Sequence, residues 1–391
     1  MSTVCLPEAE VQSDAQHAGT PLRAPALHGA SARGQIQQLR TPTFDHEADC
    51  LDALGRPLKD LRLSVIDQCN FRCTYCMPKE VFTKDYRFLS ATERLSFDEL
   101  TTLAGAFVQL GVDKIRLTGG EPLLRKDLER LIERLAAMTT RNGTPVELAL
   151  TTNGSLLAAK ARALKAAGLQ RVTVSLDSLD DEVFRRMNGV DYPVSRVLEG
   201  IEAACAAGLA PVKVNTVIER GVNERQIVPL ARHFRFSGVT VRFIEFMDVG
   251  GAASWTQSGV FTSADARRAI EEVFPLRAGE QHKLSDTAQV YRYADGAGDV
   301  GFISSVSQPF CGDCTRARVS ADGKLFLCLF ATESFDLRRL VKSGCSANDL
   351  AGEIREVWTR RGDRYSELRE ETRVVPGKKR YPTVRMSLVG G

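Results

Sequence analysis

The chain has 391 residues, a hydrophobic content of 43% and a formal net charge of only +3. This length fits one large domain or two ordinary ones, and the apolar content is enough for a core. The small net charge does not indicate a protein that binds nucleic acid or a membrane surface, so any phosphate binding must come from locally placed Arg and Lys.

The chain begins with a segment, residues 1–50, that is rich in Ala, Gln, Pro and His and has no sustained hydrophobic period. This composition predicts a disordered extension. The segment also lacks the basic-then-apolar order of a secretory signal, and no apolar run approaches the length of a membrane span. Six of the ten cysteines form two tight clusters, which indicates metal ligands in a reducing compartment, and we predict a cytoplasmic protein.

Residues 51–250 show alternating strand and helix patterns, which predict an α/β fold with a parallel sheet and right-handed crossovers. Six β/α units are two short of a closed barrel, so we predict an open (β/α)6 barrel of the TIM type. The predicted strands are 61–67, 113–118, 146–152, 171–177, 212–218 and 239–246, and the predicted helices between them are 97–110, 127–138, 157–167, 195–207 and 224–235.

Polar residues follow the predicted strands at their C-terminal ends, the face that carries the chemistry of a β/α barrel. They include Thr118-Gly119-Gly120-Glu121-Pro122, Thr151-Thr152-Asn153-Gly154, Ser175, Asp177, Asn215, Glu245 and Met247. One such group would be an ordinary turn. Five or six groups on one rim predict a site.

The first strand leads into a loop with three thiols, Cys69, Cys73 and Cys76, separated by three and then two residues. Three thiolates with one vacant position suit an iron–sulfur cluster that also binds another molecule. A redox dithiol with a spare cysteine and a zinc loop completed from a distant residue remain open.

Residues 251–391 lose the β/α rhythm and predict a smaller α+β region, with a helix at 263–274 and strands at 287–293 and 299–304. A second set of thiols, Cys311, Cys314 and Cys328, lies in this region. A second iron–sulfur cluster is one solution, and a zinc site completed by Cys345 is the other.

The first thiol loop resembles the signature of the radical S-adenosylmethionine superfamily, including the aromatic residue Tyr75 before the third cysteine. The resemblance implies that Cys69, Cys73 and Cys76 bind a 4Fe-4S cluster whose vacant iron takes S-adenosylmethionine, giving a 5′-deoxyadenosyl radical. It places Tyr75, Gly120, Ser175 and Met247 in contact with this cofactor. It also implies the partial barrel as the core.

The second thiol set, the Gly-Gly-Glu-Pro and Thr-Thr-Asn-Gly turns and the terminal Gly390-Gly391 pair together resemble the GTP 3′,8-cyclase family of molybdenum cofactor biosynthesis. The resemblance runs from about Asp52 to Gly391. It implies a second 4Fe-4S cluster on Cys311, Cys314 and Cys328, with GTP between the two clusters. The radical would take hydrogen from C3′ of GTP, and the C3′ radical would attack C8 of guanine, giving 3′,8-cyclo-7,8-dihydro-GTP.

Basic residues alternate with apolar residues on three predicted strands, at Arg62, Arg116 and Lys213. A cation inside a barrel is costly unless it meets an anion, although local salt bridges or a solvated flank remain open. The family resemblance places the GTP contacts at Arg62, Arg116, Thr151, Lys213 and the run Arg316-Ala317-Arg318.

Two other functions are compatible with the motifs: a radical peptide maturase with an auxiliary cluster, and a zinc- or nucleotide-binding regulator without catalysis. For the enzyme, the expected partners are GTP, S-adenosylmethionine, an electron donor and the next pathway enzyme, cyclic pyranopterin monophosphate synthase. Nucleic acid and membrane are not expected, and the sequence leaves a homodimer open.

Overall fold

The computed structural model describes residues 49–249, 255–279, 286–369 and 385–389. The predicted extension over residues 1–50, except for its last two residues, and the terminal Gly390-Gly391 pair lie outside the described residues.

The first half of the chain forms the predicted α/β barrel. Its strands are β1 (Asp60–Ser64), β2 (Lys114–Thr118), β3 (Glu147–Thr152), β4 (Arg171–Ser175), β5 (Lys213–Ile218) and β6 (Thr240–Glu245). They lie side by side in chain order, and every neighbouring pair is parallel. The prediction of a (β/α)6 open barrel is therefore confirmed.

Helices follow the strands and cover the outer face of the sheet. They are α1 (Phe97–Gln109), α2 (Leu128–Ala136), α3 (Leu157–Ala166), α4 (Asp181–Asn188), α5 (Val194–Ala206) and α6 (Ile227–Phe234). The side chain of Ser96 accepts the backbone N–H of Glu99, and the Glu99 carboxylate accepts the Ser96 N–H, so α1 begins at a capping box, as its sequence predicts. Helix α4 was not predicted from the sequence.

The second half of the chain adds strands to both edges of the same sheet. These are β7 (Leu276–Ala278), β8 (Gln289–Tyr293), β9 (Asp299–Ile303), β10 (Arg316–Val319), β11 (Lys324–Phe326) and β12 (Phe335–Asp336). Strand β9 pairs in parallel with β6, and β10 pairs in parallel with β1. The six predicted strands thus become eight parallel strands, flanked on each side by antiparallel ones.

The remaining helices belong to the second half of the chain. They are α7 (Ser263–Glu271), α8 (Leu337–Lys342), α9 (Ala347–Thr359) and α10 (Met386–Val389). Helices α8 and α9 pack on α1, and α10 approaches β1. Within the described residues, no helix is long and apolar enough to cross a membrane.

The two faces of the barrel strands differ in polarity, which explains how the fold and the site share one sheet. On β1, Leu61 and Leu63 are fully buried in the core beneath the helices. The alternating residues Arg62 and Ser64 face the other way, into the barrel, because successive side chains of a strand point to opposite faces. The helix-facing side therefore stabilises the fold, and the barrel interior is left to polar residues.

Candidate functional site

The three thiols of the first set, Cys69, Cys73 and Cys76, lie on the loop that follows β1. The N–H groups of Cys76 and Met77 both donate to the carbonyl of Cys73, at 3.0 and 2.9 Å, so the loop makes a tight turn between the second and third thiols. All three cysteines are half-buried. The turn keeps the three side chains in one neighbourhood, as a shared cluster requires.

The thiol loop is fixed to the C-terminal end of α4. The N–H of Arg72 donates to the Asn188 carbonyl at 2.8 Å, and the N–H of Thr74 donates to the Met187 carbonyl at 3.1 Å. A Cβ at Gly189 would lie 2.2 Å from the Arg72 carbonyl oxygen, so only glycine permits this approach. The unpredicted helix α4 thus positions the loop.

Burial makes these three thiols poor acids. Burial, with a smaller contribution from the Glu121 carboxylate, raises the pKa of Cys69 to about 11. Burial also raises the pKa of Cys76 to about 12 and that of Cys73 well above its ordinary value. A set of thiolates here therefore requires positive charge, and a thiol-only donor set is the one that iron–sulfur clusters use.

The aromatic residue of the loop, Tyr75, is buried and turned towards the rim of the barrel. Its hydroxyl donates to the Asp177 carboxylate at 2.8 Å. Its ring packs with Met187 and Phe246, and Phe246 precedes the half-buried Met247 in the loop after β6. The structure thus gathers Tyr75 and the Met247 segment on the same rim as the thiols.

The Gly-Gly-Glu-Pro turn after β2 crosses close behind the thiol loop. The N–H of Gly120 donates to the Ile66 carbonyl at 2.7 Å, and the N–H of Glu121 donates to the Gln68 carbonyl at 2.8 Å. A Cβ at Gly120 would lie 2.2 Å from the Gln68 carbonyl oxygen. The two loops therefore make a backbone contact that a larger residue would separate.

We expect Gly120→Ala to lower the free energy of unfolding by about 1–3 kcal/mol, the usual cost of overpacking, and to weaken S-adenosylmethionine binding. Gly105→Ala is the matched control, because nothing lies within 4 Å of a Cβ at this site in α1. Alanine should stabilise the helix there by about 0.5–1 kcal/mol. Thermal unfolding of the two variants tests this, and equal stability would contradict it.

The buried Glu121 carboxylate connects the rim of β3 to the thiol loop. It accepts the Thr152 hydroxyl and the Asn153 N–H, each at 2.7 Å. Burial raises the pKa of Glu121 to about 7. The Asn153 amide in turn donates to Asn70 at 2.8 Å and lies 3.8 Å from the Cys69 sulfur. Ser175, half-buried at the end of β4, completes this rim opposite Asn215 of β5.

Predicted substrate residues from neighbouring strands meet inside the barrel. In the sheet register Arg62 stands beside Arg116 on one side and Arg318 on the other. The Arg116 guanidinium donates to the Thr151 and Thr173 hydroxyls, each at 3.2 Å. The sheet therefore brings residues far apart in sequence into one polar lining.

Lys213 and the run at β10 complete this lining. Lys213 stands opposite Thr173 in the pairing of β4 with β5, and Arg316 stands opposite Asp60 in the pairing of β10 with β1. Ala317 alternates with the arginines, and its side chain is fully buried in the apolar core. Only the backbone of Ala317 is therefore available to a ligand in the barrel.

The electrostatics of this lining favour an anion. Burial and the charge of Arg318 lower the pKa of Arg62 well below its ordinary value, and burial with neighbouring cations lowers the pKa of Lys213 to about 7. The buried Nε atoms of Arg62 and Arg318 have no hydrogen-bond partner among the described residues. Cations that are partly or fully buried, repel one another and keep unused donors are typical of an anion site.

Arg242 belongs to the same lining, although it was not predicted from the sequence. Its guanidinium donates to the Asn215 side chain at 2.9 Å and to the Thr173 hydroxyl at 3.4 Å. Burial and the charges of Arg116 and Arg171 lower its pKa to about 9. The signal was present, because Arg242 alternates with Val241 and Phe243 just as Lys213 alternates on β5.

The second thiol set lies at the other end of the barrel interior. Cys311 and Cys314 precede β10, whereas the first set follows β1, and these two strands are parallel. Cys328 follows β11, which returns antiparallel to β10 and so ends near the start of β10. The basic lining therefore lies between two sets of thiols.

Cations surround the sulfur of Cys314. Burial opposes its ionisation, but Arg316, Arg361 and Arg318 outweigh this effect and lower the pKa of Cys314 to about 5. Burial raises the pKa of Cys328. Within the described residues, no three His, Cys, Asp or Glu side chains converge closely enough to hold a single metal ion. The thiol-only donor set of the second site, like that of the first, fits an iron–sulfur cluster.

Cys345 lies in the turn between α8 and α9. Its N–H donates to the Leu340 carbonyl at 3.2 Å, and its sulfur lies 3.4 Å from the Ser343 hydroxyl. The charged groups that shift the pKa of Cys314 are arginines, and those that shift the pKa of Cys328 are Arg318, Asp363 and Cys314. These contacts place Cys345 with its own helix pair.

Comparison with known proteins decides the family. Residues 63–234 match the family described as the Radical SAM superfamily, and residues 239–367 match the one described as Molybdenum Cofactor Synthesis C. The GTP 3′,8-cyclase of Xanthomonas axonopodis pv. citri is 53% identical over 340 residues, which cover 87% of this chain and 98% of that protein. The chain belongs to the GTP 3′,8-cyclase family. The enzyme of the same name from Acidothermus cellulolyticus is 46% identical over 360 residues, covering 87% of this chain and 98% of the relative.

Solved structures agree with the radical S-adenosylmethionine fold of the GTP 3′,8-cyclase family. Streptococcus suis SuiB bound to S-adenosylmethionine superposes with a TM-score of 0.53, covering 81% of this chain and 75% of SuiB. The two sequences are only 15% identical, so this likeness concerns the fold alone.

Proposed function

We infer that the protein converts GTP to 3′,8-cyclo-7,8-dihydro-GTP, the first step of molybdenum cofactor biosynthesis. The observation that carries this inference is the basic barrel lining between two three-thiol sets. A triphosphate carries about four negative charges, and the lining supplies buried and half-buried cations from β1, β2, β5, β6 and β10. The family relationship supplies the reaction.

The cofactors are S-adenosylmethionine and iron–sulfur clusters. When bound, S-adenosylmethionine and the first cluster supply a 5′-deoxyadenosyl radical for hydrogen abstraction. We assign the first cluster to Cys69, Cys73 and Cys76, and the second to Cys311, Cys314 and Cys328. Gly120, Ser175, Tyr75 and Met247 lie around the first set and would hold S-adenosylmethionine. Tyr75, fixed by its bond to Asp177, would limit movement of the adenine.

The chain's own residues would orient GTP between the two sets. Arg62, Arg116, Lys213 and Arg242 would pair with phosphate oxygens, because they are the cations that β1, β2, β5 and β6 contribute to the barrel lining. Thr151, which accepts from Arg116 at 3.2 Å, would offer its hydroxyl to the substrate. Arg316, the Ala317 backbone and Arg318 would hold the nucleotide next to the second thiol set. Fixing both ends directs the radical to one C–H bond.

Lys213 gives this assignment a test that does not need turnover. Its pKa of about 7 means that the amine is mostly neutral at pH 8. A triphosphate favours the charged amine and raises its pKa. We therefore expect GTP binding at pH 8 to take up about one proton at Lys213 and to weaken as the pH rises through about 7.

The measurement is titration calorimetry at pH 8 in buffers of different ionisation enthalpy. Lys213→Met should remove this proton uptake, leaving any share from Lys114, whose pKa burial lowers to about 8. Lys165→Met is the control, because Lys165 is exposed on α3 and donates to the Gly208 carbonyl. Proton uptake as large in Lys213→Met as in the wild-type protein would contradict the assignment of Lys213 to the triphosphate.

Anaerobic incubation with GTP, S-adenosylmethionine and a reductant, followed by mass analysis of the nucleotide, tests the function. Cyclisation leaves the mass of GTP unchanged, so the product must be identified by its separation from GTP and by its fragments. Unaltered GTP alongside 5′-deoxyadenosine formation with a peptide substrate would favour the maturase. Zinc in place of iron would favour the regulator.

Several finer points belong to the same proposal. We propose that an electron donor reduces the first cluster and that the product passes to cyclic pyranopterin monophosphate synthase. We also propose that the protein is cytoplasmic, and we leave open whether it forms a homodimer. We propose that the chain divides into an extension (residues 1–50), the barrel (51–250) and a C-terminal region (251–391) that carries the second cluster. Two 4Fe-4S clusters predict about eight irons per chain.

A further inference from the structure

A buried ionic network lies behind the second thiol set. The Asp52 carboxylate accepts Nε of Arg56 at 2.7 Å and Nη1 of Arg361 at 3.0 Å. The three side chains are at most 2% exposed. The Arg361 guanidinium also stacks 4.5 Å from the ring of Trp358, which fixes its plane. Two cations and one anion are thus held together without solvent.

Both arginines of this network also donate to the thiol loop. Arg56 Nη1 donates to the Cys311 carbonyl at 2.7 Å, and Arg361 Nη1 donates to the Cys314 carbonyl at 2.8 Å. Arg361 Nη2 reaches the Cys314 sulfur itself at 3.1 Å. Arg316 reaches the same sulfur from the barrel side at 3.2 Å. One thiol therefore receives guanidinium donors from two directions.

Arg361 and Arg316 differ in whether they can also contact a substrate. Arg316 lies on β10, in the barrel lining that we assign to the substrate. Arg361 follows α9, its side chain is 1% exposed, and its contacts are Asp52, Trp358, the Leu327 carbonyl and Cys314. A buried ion pair is a poor way to gain stability, because desolvation offsets the attraction. The contact that this pair adds is a hydrogen bond to a proposed cluster ligand.

We propose that Arg361 and Asp52 are positioning residues that set the reduction potential of the second cluster. This rests on the proposed function, in which Cys314 is a ligand of that cluster. Hydrogen bonds and positive charge at a ligand sulfur stabilise the added electron and raise the potential. Asp52 acts in the opposite sense, because its carboxylate partly neutralises Arg361.

The test measures the potential in the full-length protein with both clusters reconstituted, by redox titration followed with electron paramagnetic resonance. Arg361→Gln should lower the ratio of reduced to oxidised second cluster about tenfold at a fixed potential, a shift of about 59 mV for one electron. Asp52→Asn keeps the shape of the side chain and should shift the potential upwards. A purely structural network would not give shifts of opposite sign.

Arg360→Gln is the matched control, because Arg360 is the next residue in the chain but is exposed and pairs with Glu356. It should leave the potential unchanged. The potential of the first cluster should stay constant in all three variants. Full iron content with unmoved potentials, or shifts of the same sign in Arg361→Gln and Asp52→Asn, would overturn the proposal.

The iron content of the proteins separates two further outcomes. If Arg361→Gln loses iron, Asp52→Asn decides alone: an upward shift supports the proposal, and no shift or a downward one overturns it. Wild-type protein with only about four irons per chain would overturn the assignment of the second cluster itself. This result differs from unchanged reduction potentials in a protein with about eight irons, which would overturn only the role proposed for Arg361 and Asp52.

Discussion

We expect Cys73→Ala to abolish cleavage of S-adenosylmethionine, with 5′-deoxyadenosine falling to the background of the assay. Cys73 is the middle thiol of the first set, and its carbonyl also accepts the two N–H groups that close the turn. Alanine leaves this backbone intact and removes the sulfur, so the proposed first cluster would lose one of its three protein ligands. Cys69→Ala and Cys76→Ala should behave in the same way.

The matched control is Cys345→Ala, which removes a thiol of the α8–α9 turn outside both sets. It should retain iron, deoxyadenosine formation and GTP cyclisation. Normal deoxyadenosine formation by Cys73→Ala would refute the assignment of the first set. Loss of metal from the second site in Cys345→Ala would instead identify a fourth ligand, and the closed zinc site would then replace the second cluster.

The sequence predicted the barrel well because its strands have a simple pattern. On β1, β2 and β5, apolar residues that face the helices alternate with polar ones that face the interior. Predicted and observed strands differ by at most three residues at any end, and the largest difference is at the C-terminal end of β1. The same alternation identified Arg62, Arg116 and Lys213. A cation between apolar neighbours on a strand faces the side of the sheet opposite to the core.

The parts that sequence reasoning missed depend on pairing between distant segments. Strand β10 has four residues and β11 has three, too few for a period to be recognised. Their place beside β1 follows from contacts across more than 250 residues, such as Arg62 with Arg318. The residue pattern therefore predicted the second thiols, whereas only the family resemblance implied that they lie across the barrel from the first set.

Asp52, Arg56 and Arg361 were missed for a related reason. Asp52 and Arg361 are 309 positions apart and carry no spacing that marks a site. Both arginines would be read as surface residues, since Arg is almost never fully buried unless it is paired. Only the fold reveals that pairing, and it shows that Arg316 and Arg361 both contact the Cys314 sulfur.

Substitutions beside the second thiol set should reduce GTP binding and cyclisation, whereas those in the first set should abolish cleavage of S-adenosylmethionine. We expect Arg318→Gln to show this difference most clearly. Arg318 is 4% exposed, and its Nε has no partner among the described residues. Losing a charge-assisted contact costs about 1.5–3 kcal/mol, roughly ten- to a hundredfold in affinity. We therefore expect GTP binding to weaken by this factor and cyclisation to fall with it. Slow, uncoupled cleavage of S-adenosylmethionine should continue, because the first thiol loop at the other end of the barrel is untouched.

Cys314→Ala should resemble Arg318→Gln in losing GTP binding and cyclisation while still forming 5′-deoxyadenosine. Arg339→Gln, an exposed change on α8, should leave all three quantities unchanged. Calorimetry with GTP and chromatography of nucleosides measure them in one preparation. If Cys314→Ala stopped deoxyadenosine formation as completely as Cys73→Ala, the two sets would not have separate tasks. GTP would then have to be placed by something other than the second end of the barrel.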